Sequence, residues 1–363
     1  MGKPSKIKVE GKEYYAWKYE EQTQIKHKVL DSYSRIWIAK LGSRCNTIFF
    51  DCHGGCGAYI NDDGSVSFGS SMIVRRAANE VNRNRSSKTG IIYCEVDKSN
   101  YNNFIKILDD NGTPKILHYN ATFEDIIKET KIKAYYTQNP TLFFVDPFGF
   151  NFNIDVLSPL MKSFGNEIIV NFMFDFINRF IALPSLEVNY NQFFGCSEWK
   201  QAINMKEKER EDFLVELYKN RLKVVTGAKY VFPYRLCYPN KDQTYYYLFH
   251  ATNHIDGITH MKEAFAGINN GRVEYLGKNQ NVLSFFDLTA FKSDNIYQSC
   301  LLPLRGSSIT FTELWERIVE DVAYTSKDLN EALKELQASG KVKVERVTSK
   351  RCSYKEKDII TVL

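Results

Sequence analysis

The sequence predicts a doubly wound α/β sheet followed by a small winged-helix-like module. Three observations carry that expectation. From Thr47 to Phe172, short apolar runs ending in an acid or a glycine alternate with amphipathic helices. The first run breaks into Asp51-Cys52-His53-Gly54-Gly55-Cys56-Gly57, and beyond Thr310 the chain changes to two capped helices and a basic strand. Repeated βα units joined by right-handed crossovers make a mostly parallel sheet.

Taken in order, residues 1–24 begin polar and lysine-rich and read as a loose N-terminal arm. From Ile25 the apolar residues Val29, Leu30, Tyr33, Ile36, Trp37 and Leu41 recur at three and four, an amphipathic helix stopped by Gly42 with Lys26 and His27 at its beginning. Thr47 to Asp51 is the first strand, Asn61 to Gly64 a surface turn, and Gly69-Ser70-Ser71 offers a hydroxyl cap to a helix from Met72. Further strands are expected over Gly90–Glu95, Lys115–Tyr119, Thr141–Asp146 and Asn166–Phe172, with helices over Tyr101–Leu108, Thr122–Glu129 and Ile154–Phe164. Trp199 to Val224 reads as one long charged helix, an insertion at about 197–224. Lys229–Tyr238 and Gln243–Ala251 alternate as a hairpin that closes the sheet, followed by a helix near His254–Phe265. These elements form one domain over 25–300. Residues 305–363 form the second: Thr310 and Thr325 open helices with capping-box patterns, and Gly340 ends the second helix before the strand Lys341–Arg346.

Composition narrows the function classes. With 363 residues and 44% hydrophobic content the chain supports a substantial core, and a net charge of +5 permits nucleic acid without demanding it. Eight irregularly spaced cysteines and no apolar leader fit a reduced, cytoplasmic protein, and no stretch has the apolar length of a membrane span. Cys52 and Cys56 flank His53, but no Cys-x-x-Cys pair exists and Tyr59 stands where a radical-type cluster wants its third cysteine, so no metal is expected.

Ligands of a doubly wound sheet bind at the carboxyl ends of its strands, where Asp51, Glu95 and Asp146 fall. A glycine turn after the first strand and an acid ending the second suit a ligand with a ribose, either a nicotinamide dinucleotide or S-adenosylmethionine. A dinucleotide turn wants Gly-x-Gly-x-x-Gly, whereas Asp51-x-His53-x-Gly55-x-Gly57 has the methyltransferase spacing. At the fourth strand, Asp146 and the Pro147 carbonyl are acceptors for an exocyclic amino group, and Phe148 is a surface on which a base can stack. An ordinary Asp-Pro turn with Phe148 in the core is the plain alternative.

Lys26-His27, Asp51-x-His53-x-Gly55-x-Gly57-x-Tyr59, Gly69-Ser70, Glu95 and Asp146-Pro147-Phe148-Gly149, in this order, resemble the three-Cys-motif partner protein family (TcmP) and, more distantly, the class I adenine amino-methyltransferases of bacterial ribosomal RNA. The resemblance spans about Gln24 to Phe172. It implies a Rossmann-like class I methyltransferase fold with S-adenosylmethionine as cofactor, held by Lys26, His27, Asp51, His53, Gly55, Gly57, Tyr59, Ser70, Glu95 and Asn120. It implies Asp146, Pro147 and Phe148 at the methyl acceptor, and a three-Cys-motif radical-type protein as partner. The chain departs from the amino-methyltransferases at Phe148-Gly149, where they carry Pro-Tyr, and at Asn120-Ala121, where they carry an acid. It departs from the partner family at Cys56 and Ser71, where proline is usual. Two functions are therefore expected as alternatives: a methyltransferase acting on a base nitrogen of nucleic acid, or a non-catalytic subunit that binds nucleic acid for its radical-type partner. In the tail, Lys341, Lys343, Arg346, Lys350 and Arg351 form a basic cluster that either contacts phosphates or docks a protein.

Overall fold

A computed structural model of the chain describes residues 4–9, 11–111, 116–275, 292–347, 354 and 357–363. The first half runs β1 (Ser5–Val9), β2 (Lys12–Lys18), α1 (Glu21–Leu41), β3 (Thr47–Asp51), β4 (Ala58–Ile60), β5 (Val66–Phe68), α2 (Ser70–Val81), β6 (Thr89–Cys94), α3 (Lys98–Asp110), β7 (Ile116–Tyr119), α4 (Phe123–Ile126), α5 (Thr130–Gln138) and β8 (Thr141–Val145). It continues through β9 (Glu167–Phe172), α6 (Phe174–Phe180), α7 (Glu187–Phe194), α8 (Glu207–Thr226), β10 (Tyr230–Cys237), β11 (Thr244–Thr252) and α9 (Ile255–Ile268). The tail holds β12 (Ser308–Thr310), α10 (Phe311–Ile318), α11 (Ser326–Ala338), β13 (Val342–Glu345) and β14 (Ile359–Val362).

The central sheet has seven strands in the order β10-β11-β9-β8-β3-β6-β7. Strands β3, β6, β7, β8 and β9 are parallel, while β11 lies antiparallel between β9 and β10. Counted from one end in chain order this is 3-2-1-4-5-7-6 with the seventh strand reversed, the class I methyltransferase variant of the doubly wound sheet. The central parallel strands β3, β8 and β9 are buried on both faces, which is why they read as continuous apolar runs rather than alternating ones. One face, through Ile48, Phe50, Phe143 and Val170, packs under α4, α5, α7 and α8. The other, through Phe49, Leu142, Phe144 and Ile169, packs against α1, α2 and α9, and its core runs on without a break into Leu314, Trp315, Leu329 and Leu333 of the tail.

The N-terminal segment is not a loose arm. Strand β2 hairpins with β1 and pairs in parallel with β4 through Trp17 opposite Tyr59, giving a second sheet, β1-β2-β4-β5. Its backbone is held from α3: Asn103 accepts from the Tyr15 amide at 2.7 Å and donates to the Tyr15 carbonyl at 2.8 Å, and the Tyr14 hydroxyl donates to Asp110 at 2.7 Å. Three helix expectations also change. Lys26 and His27 lie in the second turn of α1, which begins at Glu21. The stretch Ile154–Phe164 is two short 3-10 turns, Ile154–Leu157 and Leu160–Lys162, because Pro159 bars a continuous helix. The long insertion is split into a 3-10 segment, Glu198–Asn204, and α8; the Arg210 guanidinium spans the break, donating to the carbonyls of Ala202, Ile203 and Met205. In the tail both capping boxes are present, Thr310 with Glu313 and Thr325 with Asp328, and β12, β14 and β13 form a three-stranded sheet beside α11, completing a winged helix. Among the described residues no helix is long and apolar enough to cross a membrane.

Candidate functional site

The glycine turn is shaped from beneath. The Gly54 amide donates to the Cys94 carbonyl at 2.8 Å, and the Tyr93 ring lies where a Cβ on Gly54 would stand. Gly55 and Gly57 take φ of 63° and 78°, the left-handed region that favours glycine, and a Cβ on Gly57 would approach Phe104 to 2.5 Å. Gly55 alone of the three faces open space. Its amide donates to Glu95 Oε2 at 2.8 Å, while Glu95 Oε1 accepts from the Asp97 amide at 2.7 Å, so each carboxylate oxygen keeps a further lone pair. Burial raises the Glu95 pKa, and those two backbone bonds oppose it. The Asn120 amide donates to the carbonyls of Glu95 and Val96 at 2.9 and 3.0 Å, so it fixes the end of β6. A cavity of about 430 Å³ opens here at the carboxyl ends of β3, β6 and β7, walled by His53, Glu95, Val96, Phe123 and Phe152. Val96 is 64% exposed at its rim. His53 keeps a neutral ring, its pKa pushed down to about 4 by burial, and its buried Nδ1 has no hydrogen-bond partner among the described residues.

Beside the cavity lie two acids with opposite electrostatics. Asp51, fully buried at the end of β3, accepts from Ser70 and Ser71 at 2.5 and 2.7 Å; these hydroxyls do not cap α2, whose N-cap is Gly69. Burial pushes the Asp51 carboxyl up to about 6, against the two hydroxyl bonds, and its Oδ1 has no partner among the described residues. Asp146 is half-buried, and its pKa is lowered: desolvation raises it, but the Lys26 ammonium on Oδ2 and the Asn171 amide, 2.5 Å from Oδ1, outweigh that effect. Lys26 is itself enclosed, 5.6 Å from the Tyr246 ring centroid. His27 turns away from this pair. It bonds the Tyr19 hydroxyl at 2.9 Å and stands edge-on to the Tyr59 ring, its pKa pushed down to about 3 by burial and by Lys26.

The fold therefore gathers Lys26, Asp51, Ser70 and Asp146 into one cluster, and His53, Gly55, Glu95 and Asn120 around the cavity. His27 and Tyr59 form an aromatic wall next to them. Gly57 serves the turn's packing. Pro147 is buried, whereas Phe148 is 65% exposed, so it is not core. Sequence reasoning passed over Asn171, Ser71, Val96 and Tyr19. Asn171, near the end of the fifth strand, was findable from its place beside Asp146's strand; the others carry no signal of their own.

In the wing the basic residues divide. Lys341 lies over the Tyr297 ring, 3.4 Å from Asp294, and Arg346 lies over Tyr354, 4.0 Å from Asp358. Lys343 is exposed. Lys350 and Arg351 lie outside the described residues.

Residues 274–349 match the GMT-like wHTH domain family, which agrees with the winged helix of the tail. No curated protein sequence matches the chain. Among solved structures, similarity extends to protein LPL1258 of Legionella pneumophila, of family DUF519, at 12% identity and TM-score 0.39, over 66% of this chain and 91% of that one. It also extends to the DszA carbon methyltransferase, at 11% identity and TM-score 0.33, over 60% of this chain and 51% of that one. A third is the O-methyltransferase NcsB1 of neocarzinostatin biosynthesis, crystallised with S-adenosylmethionine, at 10% identity and TM-score 0.28, over 59% of this chain and 49% of that one. The fold assignment itself rests on the strand order and the reversed strand.

Proposed function

We propose that this chain is an S-adenosylmethionine-dependent methyltransferase that modifies a nitrogen of a nucleic-acid base. The observation that carries the reading is Asp146: a half-buried carboxylate at the end of the fourth parallel strand, held by Lys26 and steered by Asn171, in a fold whose neighbouring strand ends open into a cavity suited to an adenosine. The residues fit that cofactor. Glu95 has a lone pair left on each oxygen for the two ribose hydroxyls, and Val96 and Phe123 offer apolar surface to a purine. Gly55 exposes backbone on the open side of the turn, and the unpartnered Asp51 Oδ1 suits an ammonium group. When bound, the cofactor supplies an electrophilic methyl group. The chain's part is to orient: Asp146 and the Pro147 carbonyl accept the hydrogens of an amino group so that its lone pair is directed, and Lys26 keeps Asp146 an acceptor at neutral pH.

Titration calorimetry with S-adenosylhomocysteine tests the pocket. Glu95→Ala is expected to weaken binding by about 1.5–3 kcal/mol, as for loss of hydrogen bonds to a charged group. Transfer of radiolabel to mixed RNA and DNA, abolished in Asp146→Asn, tests the chemistry. One observation favours a second reading: both Asp146 oxygens are already engaged. If cofactor binds and no label transfers, the chain is a binding subunit that presents nucleic acid to a three-Cys-motif radical-type partner.

A further inference from the structure

Two aromatic side chains on the open side of Asp146 have no role in the reading so far as a pair. Phe148 stands two residues beyond that carboxylate with 65% of its surface exposed, and the Trp17 ring faces it with centroids 6.2 Å apart and planes 31° from parallel. Trp17 is partly exposed too, but its backbone is not free to wander: it is paired with Tyr59, two residues past the glycine turn. Phe148 is set between buried Pro147 and Gly149, whose φ of 76° makes the turn that holds the ring outward. A large apolar ring left in water forgoes about 1.5–3 kcal/mol of burial, so its exposure beside the site asks for an occupant.

The spacing says which kind. Rings in face contact lie about 3.5–4 Å apart, so a flat molecule with a ring on each side needs roughly 7 Å between them. The two rings stand 6.2 Å apart centroid to centroid and 31° from parallel, the spacing of an ordinary tilted aromatic pair, so a base enters when the exposed Phe148 swings off Trp17 and opens that gap. We propose that Trp17 and Phe148 form a clamp that takes one unpaired nucleobase between their faces. The clamp rests on the methyltransferase reading for its purpose, since it delivers the base edge to Asp146, but the stacking does not depend on turnover. Stacking on aromatic rings is tolerant of base identity, so the clamp selects for a flat, accessible base and leaves discrimination to the polar groups behind it. It also assigns the N-terminal hairpin a substrate-binding part, with Trp17 as a binding residue on the wall opposite the cofactor strands.

The test uses the full chain with S-adenosylhomocysteine and a single-stranded oligothymidine carrying one 2-aminopurine, whose fluorescence is quenched by stacking. Binding is expected to quench the probe several-fold. Trp17→Ala and Phe148→Ala should each lose the quench and bind about 5- to 150-fold more weakly, the equivalent of about 1–3 kcal/mol per stacked base, while Trp17→Phe restores both. S-adenosylhomocysteine binding should be the same in all variants, which also shows that they fold. An unquenched probe, no binding by the natural chain, or a Trp17→Ala variant that behaves like it overturns the clamp, even if label transfer proceeds. Conversely, a Trp17-dependent quench in a protein that binds no cofactor sustains the clamp and overturns the methyltransferase reading.

Discussion

Two lysines lie beneath the surface of this protein, and their surroundings could hardly differ more. Lys26 meets a carboxylate, Asp146, which is steered in turn by Asn171. Lys262, on α9 where the winged helix packs on the sheet domain, is completely buried, and among the described residues it meets the Val322 carbonyl, the face of Phe232 at 3.7 Å and, farther off, Trp315. Burial drives its pKa well below the ordinary lysine value, with Asp321 and Glu320 opposing from a distance. A buried cation given a counter-ion can hold an acid ready for chemistry. One given a carbonyl and aromatic rings holds its proton less tightly and becomes a polar rivet in an apolar seam.

The contrast is sharpest on deletion. Lys26→Ala takes the ammonium from the half-buried Asp146 and leaves it only the Asn171 amide, which should cost about 3 kcal/mol in urea unfolding. Lys262→Met keeps the apolar stem and exposes only the Val322 carbonyl to loss of its donor, about 1–3 kcal/mol. The reverse order of effects would erase the distinction. Asp51 refines the picture within the site. Its raised pKa means that the folded chain holds a proton which the unfolded chain has released, so this acid favours folding at low pH, and the benefit is lost as pH rises from about 4 to about 6. Asp51→Asn should therefore raise stability at neutral pH by about 3 kcal/mol, the free-energy equivalent of that displacement, while impairing cofactor binding. Asp146 has the opposite sign. Its lowered pKa stabilises the fold above the ordinary carboxyl range and stops doing so as pH falls through the folded value, so Asp146→Asn should flatten the acid limb below about pH 4.

For the seam, the folded chain holds the Lys262 proton less tightly than the unfolded chain does. Stability should rise with pH toward the ordinary lysine value by up to about 1.4 kcal/mol per pH unit, and Lys262→Met should remove that slope. The smallest effect is expected at the surface. If Lys343 contacts a phosphate, Lys343→Ala should lower the log-log salt slope of oligonucleotide binding by about one unit and leave stability untouched.

Much of this arrangement was legible in the sequence because it is written locally. Apolar runs ending in Asp51, Glu95 and Asp146 mark the parallel strands and the ligand side, and Thr310 with Glu313 and Thr325 with Asp328 mark the helices of the winged module. What stayed hidden depends on partners far along the chain. Residues 12–18 look like a polar tail until Asn103 and Tyr59 supply their bonds. Ser70 and Ser71 look like a cap until Asp51 is seen beneath them. Lys262 is one charge on an otherwise apolar face, which periodicity reads as a solvated edge. The seam it occupies ties the tail to the sheet: the core of one sheet face continues into the winged helix, so removing the tail would uncover apolar surface as well as Lys262.

The parallel pairing of β2 with β4 has a consequence for how the protein is made and handled. Strand β2 leaves the ribosome early, but its neighbour arrives only after α1, β3 and the glycine turn have been synthesised, so this edge of the molecule is finished out of order. Until then the nascent hairpin is too small to persist alone. A cut or a bulky group within β1 or β2 therefore acts beside the strand that follows the turn at Gly55.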